Sequence, residues 1–360
     1  MKLKLCFIGD ASNVHTQKFV NYFVDAKHDV YLFDNHQYKY KNLKFYLIKS
    51  NTGIKFIDYM LRILKTVRSV REIKPDVLHS FQVTYHGFIG ALCNVHPFVI
   101  TPWGSDILYD PEKSYVHKSI IKFSLDKADL VHCIDASIVN RLKYFYGAKI
   151  NKNLFVLNEG VKTNIFRPRR KNHKYFLILH LRRLNENRGA MFLIEALNIL
   201  INKKSKRNIR VIMLKTGDKD YKEKINQKIK EYGLDRYIKF FEWINYETPK
   251  FFENADVYVD TMHRKVQGQG AGKTLLEAMS SGVPVIAPNN PDVMIYLKHL
   301  SNGVIYRGAD SESLANSILL LMQNKKLRLS LGKRAREFIV KNLEWGKNMK
   351  IMEEKYYALL

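Results

Sequence analysis

The chain has 360 residues, 46% of them hydrophobic, which is enough for two domains of ordinary size that each bury a core. Its 60 Lys and Arg outnumber its 34 Asp and Glu, for a net charge of +26, and a field this positive attracts nucleic acids, anionic membranes or phosphorylated ligands. No zinc-finger spacing, RNP-type aromatic motif or helix-turn-helix signature accompanies the charge, so we expect no nucleic-acid partner.

The cysteines and the lack of long apolar runs indicate the compartment. Cys6, Cys93 and Cys133 are scattered singly without metal-ligand spacing, as expected for buried thiols in a reducing cytosol. Polar residues from Asp10 onward interrupt the N-terminal apolar stretch, which argues against a signal peptide. No run approaches the roughly 20 apolar residues of a membrane-spanning helix. The sequence therefore predicts a cytoplasmic protein, with peripheral contact to the inner face of the cell membrane left open.

Predicted strands and helices alternate along the chain in two successive series. The strands of the first series are Leu3–Ile8, Asp29–Phe33, Val77–Phe81, Phe98–Thr101, Leu130–Ile134 and Leu154–Leu157. Those of the second are Phe176–Leu181, Ile209–Leu214, Ile238–Phe241, Val257–Asp260, Val283–Ala287 and Gly303–Tyr306. The predicted helices include Gln17–Phe23, Ile54–Ile73, Tyr115–Leu125, Ala190–Ile201, Asp220–Tyr232, Ser311–Gln323, Lys325–Lys341 and Gly346–Leu359. This alternation predicts an α/β fold with two doubly wound parallel sheets and sites at the carboxyl ends of their strands.

The boundary between the two series falls in a charged, Pro-containing stretch from Arg167 to His173. We therefore predict an N-terminal domain at 1–165, a C-terminal domain at 166–340 and a final helix at 341–360 that packs back on the N-terminal domain. Ligands of two-domain α/β proteins usually sit in the cleft between the domains.

Residues 39–74 combine basic, aromatic and apolar residues. Up to Lys49, lysines alternate with aromatic side chains, and Ile54–Ile73 places apolar residues over more than half of a helix's circumference. One interpretation is an ordinary amphipathic helix packed on a sheet, with solvated lysines around it. The other is a basic rim on an anionic bilayer, where each Lys or Arg contributes about 1 kcal/mol. We favour packing for the apolar face and keep peripheral membrane contact as the second hypothesis.

A glycine-rich turn followed by a short helix is the clearest site signal in the chain. It runs Gln269-Gly-Ala-Gly-Lys-Thr-Leu-Leu-Glu277, with a helix predicted over Thr274–Ser281. Backbone N–H groups at a helix start lack partners within the helix, and the helix dipole adds positive potential, so the turn suits a phosphate. The alternative is a loop that only caps a buried helix. The leading Gly of a Walker A loop and the G-x-G-x-x-G fingerprint are both missing, which excludes a P-loop ATPase and a classical dehydrogenase.

Four segments together resemble the retaining GT-B glycosyltransferases of glycosyltransferase family 4, the type of glycogen synthase and phosphatidylinositol mannosyltransferase. Asn158-Glu-Gly-Val-Lys-Thr-Asn-Ile-Phe-Arg-Pro168 is similar to the family's linker motif. His180-Leu-Arg-Arg-Leu-Asn-Glu-Asn-Arg-Gly189 is similar to its Gly-Arg-Leu…Lys-Gly segment. Residues 269–277 align with its Glu-x7-Glu motif, and Trp103-Gly-Ser-Asp106 resembles its His-Gly-Ser-Asp segment. The resemblance covers nearly the whole chain and implies the GT-B fold, two Rossmann-like domains facing a cleft, with the acceptor on the N-terminal domain and the nucleotide sugar on the C-terminal one.

The resemblance also implies a donor site. Arg183 and Arg188 would bind the donor's diphosphate, whose charge grows as the glycosidic bond breaks, although surface arginines are the alternative. Arg188 replaces the family's Lys and keeps its charge. Glu277 would hold the ribose hydroxyls, and Gln269 stands where the family has the Glu that contacts the transferred sugar. The remaining predicted donor-binding residues are Gly270, Ala271, Gly272, Lys273, Thr274 and Leu275.

Two departures from the family motifs bear on activity. Gln269 keeps an acceptor oxygen but loses the charge, which leaves the donor sugar and the activity itself open. Trp103 replaces the active-site His of many relatives, and its indole can stack on a sugar. The predicted catalytic set is Asp106, Gln269, Arg183 and Arg188, and the predicted acceptor-binding set is Asn13, His15, Thr16, Trp103 and Asp106. Histidines with a purely structural alternative are His15, His79 and His86.

We expect a retaining hexosyltransferase that moves a sugar from a UDP- or GDP-linked donor to a glycan or lipid-linked acceptor in cell-surface polysaccharide or glycolipid synthesis. No carboxylate pair of the glycosidase type is evident, so the resemblance implies front-face transfer, in which the leaving diphosphate takes the acceptor's proton. No cofactor or metal is expected, because no Asp-x-Asp motif stands in a metal-binding context. Two other hypotheses stay open: a non-catalytic scaffold that binds a nucleotide sugar, and a GT-B-like epimerase or phosphorylase.

Overall fold

The computed structural model describes residues 1–147, 153–169, 174–242, 249–262 and 272–360. Contacts divide the chain into two compact units. Unit 1 comprises Met1–Glu159 and Gly346–Leu360, and unit 2 comprises Gly160–Trp345. The divisions predicted from the sequence were at 165/166 and 340/341.

The described part of unit 1 contains a sheet of seven parallel strands in the order β3-β2-β1-β4-β5-β6-β7. The strands are β1 Lys4–Ile8, β2 Asp29–Asp34, β3 Lys44–Leu47, β4 Val77–Phe81, β5 Phe98–Thr101, β6 Leu130–Cys133 and β7 Leu154–Val156. The helices are α1 Val14–Asp25, α2 Lys55–Ile73, α3 Phe88–Cys93, α4 Ser105–Leu108, α5 Asp110–Lys113, α6 Tyr115–Lys127 and α7 Ala136–Tyr146. Strands β1, β4, β5 and β6 are almost wholly buried, as expected for parallel strands covered on both faces.

The described part of unit 2 contains six parallel strands in the order β10-β9-β8-β11-β12-β13. They are β8 Phe176–His180, β9 Ile209–Leu214, β10 Ile238–Phe241, β11 Val257–Val259, β12 Val285–Pro288 and β13 Val304–Tyr306. The helices are α8 Ala190–Asn198, α9 Lys219–Glu231, α10 Lys250–Glu253, α11 Lys273–Ser280, α12 Pro291–Met294, α13 Ser311–Gln323, α14 Lys325–Asn342 and α15 Trp345–Tyr357. From Gly346 onward, α15 belongs to unit 1. The two sheets confirm the predicted α/β fold class.

Local signals in the sequence explain where several helices begin. The Asn13 side chain accepts a hydrogen bond from the His15 N–H and so caps α1. Asp135 caps α7 and Asp310 caps α13 in the same way, each accepting from two backbone N–H groups. One face of the unit 1 sheet packs on α1 and α15, where the Phe23 and Tyr356 rings stack with centroids 5.1 Å apart.

Two sequence interpretations are corrected in the 39–74 region. Lys44–Leu47 forms an edge strand that the strand prediction omitted, although the alternation of lysine and aromatic residues has the period of a strand. The apolar surface of α2 packs on the sheet only in part, through Ile63, Val70 and neighbours. Side chains left exposed are Ile54, Phe56, Ile57, Met60 and Leu64. A helix lying on a sheet buries a stripe roughly 100° wide, so an apolar surface covering more than half the circumference cannot be buried whole.

No helix within the described ranges is long and apolar enough to cross a membrane.

Candidate functional site

The carboxyl edge of the unit 2 sheet brings together the predicted donor residues that the structure describes. Strands β8 and β11 pair with each other, and the strand order reverses between them, which is where open α/β sheets bind ligands. The loop after β8 carries Arg183 and Arg188, and the chain after β11 continues through Asp260 and Thr261.

Arg188 is held at this edge through its own backbone. The Thr261 hydroxyl donates a hydrogen bond to the Arg188 carbonyl at 2.6 Å, and a guanidinium nitrogen of Arg188 lies 3.1 Å from the Met262 sulfur. Gly189 follows with φ +63°, and a Cβ there would lie 2.3 Å from the Thr261 carbonyl oxygen. This close approach requires glycine, so the loop that positions Arg188 is tied directly to the end of β11. The Arg183 side chain is exposed.

The start of α11 lies in the same unit, beginning at Lys273 after Gly272 at φ +76°. The Thr274 hydroxyl and the Tyr258 hydroxyl are 2.9 Å apart, and the Lys273 ammonium lies 5.8 Å from the Trp345 ring centroid. Glu277, predicted to hold the ribose, is 4% exposed, and Leu275 is buried. The predicted site residues Gln269, Gly270 and Ala271 lie outside the described residues, so their roles stay predictions.

Sequence reasoning missed a buried ion pair beneath this edge. Arg182 donates from Nε to an oxygen of Asp260 at 3.1 Å and from a terminal nitrogen to the same oxygen. The other Asp260 oxygen accepts from the Met262 N–H at 2.9 Å. Burial alone lowers the pKa of the Arg182 guanidinium, but the charge of Asp260 and the hydrogen bonds to Asp260 and Tyr258 raise it overall. The available signal was an aspartate directly after a short apolar strand.

In unit 1 the structure brings two predicted acceptor residues together. The His15 and Trp103 rings lie 5.4 Å apart, and His15 Nδ1 lies 3.8 Å from an oxygen of Glu159, a neighbour that the sequence did not suggest. Asn13 is engaged in capping α1. Thr16 is fully buried, and its hydroxyl has no hydrogen-bond partner among the described residues. His15 and Trp103, both partly exposed, are therefore the predicted acceptor residues best placed to meet a ligand.

Asp106 differs from the others because its carboxylate is enclosed by backbone. It is fully buried, and it accepts hydrogen bonds from the Val83 N–H at 2.6 Å and from the Trp103 N–H at 3.0 Å. Burial raises its pKa to about 6 even though these backbone donors oppose the shift. In the structure Asp106 therefore braces the turn that carries Trp103, and its predicted catalytic and acceptor-binding roles stay predictions.

A buried hydrogen-bond chain crosses the unit 1 sheet. His132 Nε2 lies 2.8 Å from the Leu157 carbonyl oxygen and must donate to it, so His132 Nδ1 accepts from the Thr101 hydroxyl at 2.9 Å. The Thr101 oxygen in turn accepts from His79 Nε2 at 2.6 Å, and His79 Nδ1 accepts from the Tyr356 hydroxyl. Burial lowers the pKa of both histidines. Both ring nitrogens of His79 therefore have hydrogen-bond partners inside the protein, which supports a structural role for this histidine.

Residues suited to a metal ion occur in unit 1 after β1 and β2. Ligand atoms of Asp10, Asp34 and His36 lie within 4.8 Å of one another. One Asp34 oxygen already accepts from the N–H groups of Ala11 at 2.8 Å and His36 at 3.1 Å. These bonds account for the buried carboxylate without an ion. That no metal is needed remains a prediction.

Comparison with known proteins supplies the family. The sequence matches the family model for glycosyl transferases group 1 over residues 161–338 and that for glycosyl transferase 4-like proteins over residues 4–135. An uncharacterized glycosyltransferase of Methanocaldococcus jannaschii is 22% identical, across 98% of this chain and 95% of its own length. The Arabidopsis thaliana sulfoquinovosyl transferase SQD2 is 25% identical, across 82% of this chain and 59% of the plant protein.

Solved structures show the same fold. The Anabaena protein Alr3699/HepE in complex with UDP superposes with a TM-score of 0.81 at 16% identity, covering 99% of this chain and all of that one. A sucrose-phosphate synthase from Thermosynechococcus elongatus has a TM-score of 0.80 at 15% identity, covering 99% of each chain. At these identities the likeness concerns the fold alone.

Proposed function

This chain belongs to the GT-B glycosyltransferases of the family 4 type, and we propose that it is a retaining hexosyltransferase that uses a UDP- or GDP-linked donor. The acceptor we propose is a glycan or a lipid-linked sugar in cell-surface polysaccharide or glycolipid synthesis. The observation that carries the donor assignment is the convergence, within unit 2, of the Arg188 loop and the end of β11 at the point where the strand order reverses.

The nucleotide and acceptor classes are suggested by named relatives. HepE was solved with UDP and with UDP-glucose. A Mycobacterium tuberculosis relative, 23% identical over 64% of this chain and 62% of its own, is named a GDP-mannose-dependent phosphatidylinositol monomannoside mannosyltransferase. Both a UDP and a GDP donor therefore stay within the proposal, and a lipid-linked acceptor has a precedent among the relatives.

In the proposed mechanism the donor's diphosphate is stabilised by positive charge and by backbone donors. Arg183 and Arg188 bind it, and the N–H groups of Lys273, Thr274 and Leu275 meet the distal phosphate at the start of α11. The helix dipole at such a position contributes about 0.3–1 kcal/mol, rising to about 2 kcal/mol when partly buried. These interactions strengthen as the leaving diphosphate gains charge, so they favour the transition state over the bound substrate. Glu277 holds the ribose, and Gln269 contacts the transferred sugar.

Retention of configuration is proposed to follow from transfer on one face of the sugar. The leaving diphosphate takes the proton of the acceptor hydroxyl as the new bond forms, and no protein nucleophile takes part. On the acceptor side, the Trp103 indole stacks on a sugar face and His15 hydrogen-bonds a hydroxyl, with Glu159 beside its ring. Asp106 acts through Trp103, whose backbone it holds.

Peripheral membrane contact is proposed through the start of α2. Phe56 is 71% exposed and Leu64 is 60% exposed, and both lie on a helix whose other face is packed. Lys55 at the start of this helix and Lys49 just before it are exposed. The carboxylate of Asp58, on the same face, accepts hydrogen bonds from the Thr52 N–H and hydroxyl. The surface at the start of α2 therefore presents apolar and basic groups together. Such a patch suits an anionic bilayer, which is where a lipid-linked acceptor would be found.

A thermal-shift panel of UDP, GDP, ADP and CMP tests the donor assignment. Ligand at 100 times its dissociation constant stabilises the folded protein by about 2.7 kcal/mol, which is readily measured. We expect a shift with UDP or GDP that is lost in Arg188→Ala and kept in Arg207→Ala, which removes an exposed arginine before β9. No shift with any nucleotide in the wild type would refute the donor site. Binding without transfer of sugar to any acceptor would instead support the scaffold hypothesis.

A further inference from the structure

A buried side-chain network lies under the predicted phosphate-binding turn of unit 2. Arg182 pairs with Asp260 and interacts electrostatically with Tyr258, whose hydroxyl lies 2.9 Å from that of Thr274. Asp260 and Tyr258 are fully buried, and the Arg182 side chain is 8% exposed. The network therefore joins the end of β8, the end of β11 and the first turn of α11.

The backbone at Gly272 is shaped around the Arg182 guanidinium. A Cβ at position 272 would lie 2.0 Å from one terminal nitrogen of Arg182 and 2.6 Å from its central carbon. Gly272 also has φ +76°, a conformation that side-chain-bearing residues rarely adopt. The planar guanidinium thus packs directly against the residue that precedes α11, in a space that only glycine leaves open.

The charges of this network explain what it can do. A lone cation at the positive end of a helix dipole would be unfavourable, and a lone buried carboxylate would be costly to desolvate. Paired, Arg182 and Asp260 are close to neutral, so they add little net attraction for a phosphate. Their contribution is geometric, because the rigid fork of Arg182 is held by Asp260 on one side and supports the helix start on the other.

We propose that Arg182 is a positioning residue for the donor's phosphate. Held by Asp260, it sets the backbone of Gly272 and, through Tyr258, the side chain of Thr274. The first turn of α11 thereby keeps its N–H groups in the arrangement that a nucleoside diphosphate requires. This inference rests on the proposed donor site and adds residues to it that neither the glycine-rich turn nor the family motifs indicated.

Two variants separate positioning from simple structural support. Arg182→Met combined with Asp260→Asn removes both charges at once, so that neither remains buried without a partner, and Asn keeps the oxygen that accepts from Met262. Tyr258→Phe removes only the hydroxyl that reaches Thr274. Tyr237→Phe is the matched control, because Tyr237 is also buried in unit 2 but its hydroxyl accepts from Arg236.

Dissociation constants for UDP and GDP are measured by calorimetry, and donor and acceptor KM by initial rates. For the nucleotide that the wild type binds, we expect at least a tenfold weaker Kd in the double variant and at least threefold in Tyr258→Phe. Donor KM should rise with them while acceptor KM stays unchanged. The Tyr237→Phe control should match the wild type.

A Kd within twofold of the wild type in a folded double variant would overturn the inference and leave the donor site intact. If the double variant does not fold, an unchanged Kd in Tyr258→Phe has the same consequence. If the wild type binds neither nucleotide, the proposed donor site itself is refuted and the positioning role falls with it.

Discussion

Replacing His79 with Gln removes the centre of the buried hydrogen-bond chain in unit 1. The Gln amide can reach at most one partner of the imidazole, so at least one of the bonds to Tyr356 and Thr101 is lost. A typical buried hydrogen bond contributes about 1 kcal/mol net, and the buried partner left unsatisfied costs about 1 kcal/mol more, so the free energy of unfolding should fall by about 2 kcal/mol at pH 7. The substitution also removes the packing of the His79 ring against Phe19 and Phe81, which adds to this loss.

The same substitution changes how stability depends on pH. Burial, with the nearby His132, lowers the pKa of His79 well below its usual value of about 6.5, so the folded state keeps this ring neutral in mild acid. The unfolded chain binds the proton below about pH 6.5, so wild-type stability falls by about 1.4 kcal/mol per pH unit from there downward. Between pH 6.5 and pH 5 this loss is about 2 kcal/mol. The variant lacks it, so the wild-type advantage of about 2 kcal/mol at pH 7 should shrink to near zero at pH 5.

Urea unfolding is monitored through the hydrogen–deuterium exchange of peptides from β4 and α15, which reports on unit 1 separately from unit 2. Comparing wild type with variant cancels titrating groups outside this hydrogen-bond chain, such as Asp106. His117→Gln, at a partly exposed position on α6, should show a far smaller change with pH. A difference between wild type and His79→Gln that stays constant from pH 7 to pH 5 would refute the assigned neutral, doubly bonded state.

Gly272→Ala should destabilise unit 2 by at least about 2 kcal/mol and abolish nucleotide binding, because the new Cβ collides with Arg182. Gly233→Ala, at φ +63° with open space around it, isolates the backbone strain and should cost only about 1 kcal/mol; equal effects of the two in denaturant titrations would contradict the collision. Phe56→Glu should abolish co-sedimentation with phosphatidylglycerol vesicles while changing the free energy of unfolding by less than about 0.5 kcal/mol. The control Ile351→Glu, on α15, should still bind vesicles. Vesicle binding by Phe56→Glu would exclude α2 as the contact. The free energy of unfolding of Asp106→Asn should lie further below that of the wild type at pH 5 than at pH 7, by about 1 kcal/mol. The reason is that the pKa of Asp106, raised to about 6, makes the folded wild type gain stability as it binds a proton. Chemical denaturation at both pH values checks this, and a difference that narrows in acid would be inconsistent with it.

The regular elements were the most predictable part of the molecule. Strands such as Val77–Phe81 and Ile209–Leu214 match the structure at both ends, since buried parallel strands are continuous apolar runs that contrast with polar turns. β3 was missed because half its residues are lysine and tyrosine, and an edge strand needs no apolar run. The exposed side chains of α2 were also missed, because sequence periodicity gives the width of an apolar surface but not how much of it a sheet covers.

Local periodicity and residue type are enough to predict the alternation of strands and helices, the position of the glycine-rich turn and the basic residues that accompany it. Which polar side chains bond other groups of the protein depends on contacts between residues far apart in the chain. Asp106 is occupied by backbone N–H groups from Val83 and Trp103, and Arg182 is paired with Asp260, 78 residues away in the chain. Hydrogen-bond partners brought together by strand order leave no local trace, because desolvation and pairing depend on neighbours in space rather than along the chain.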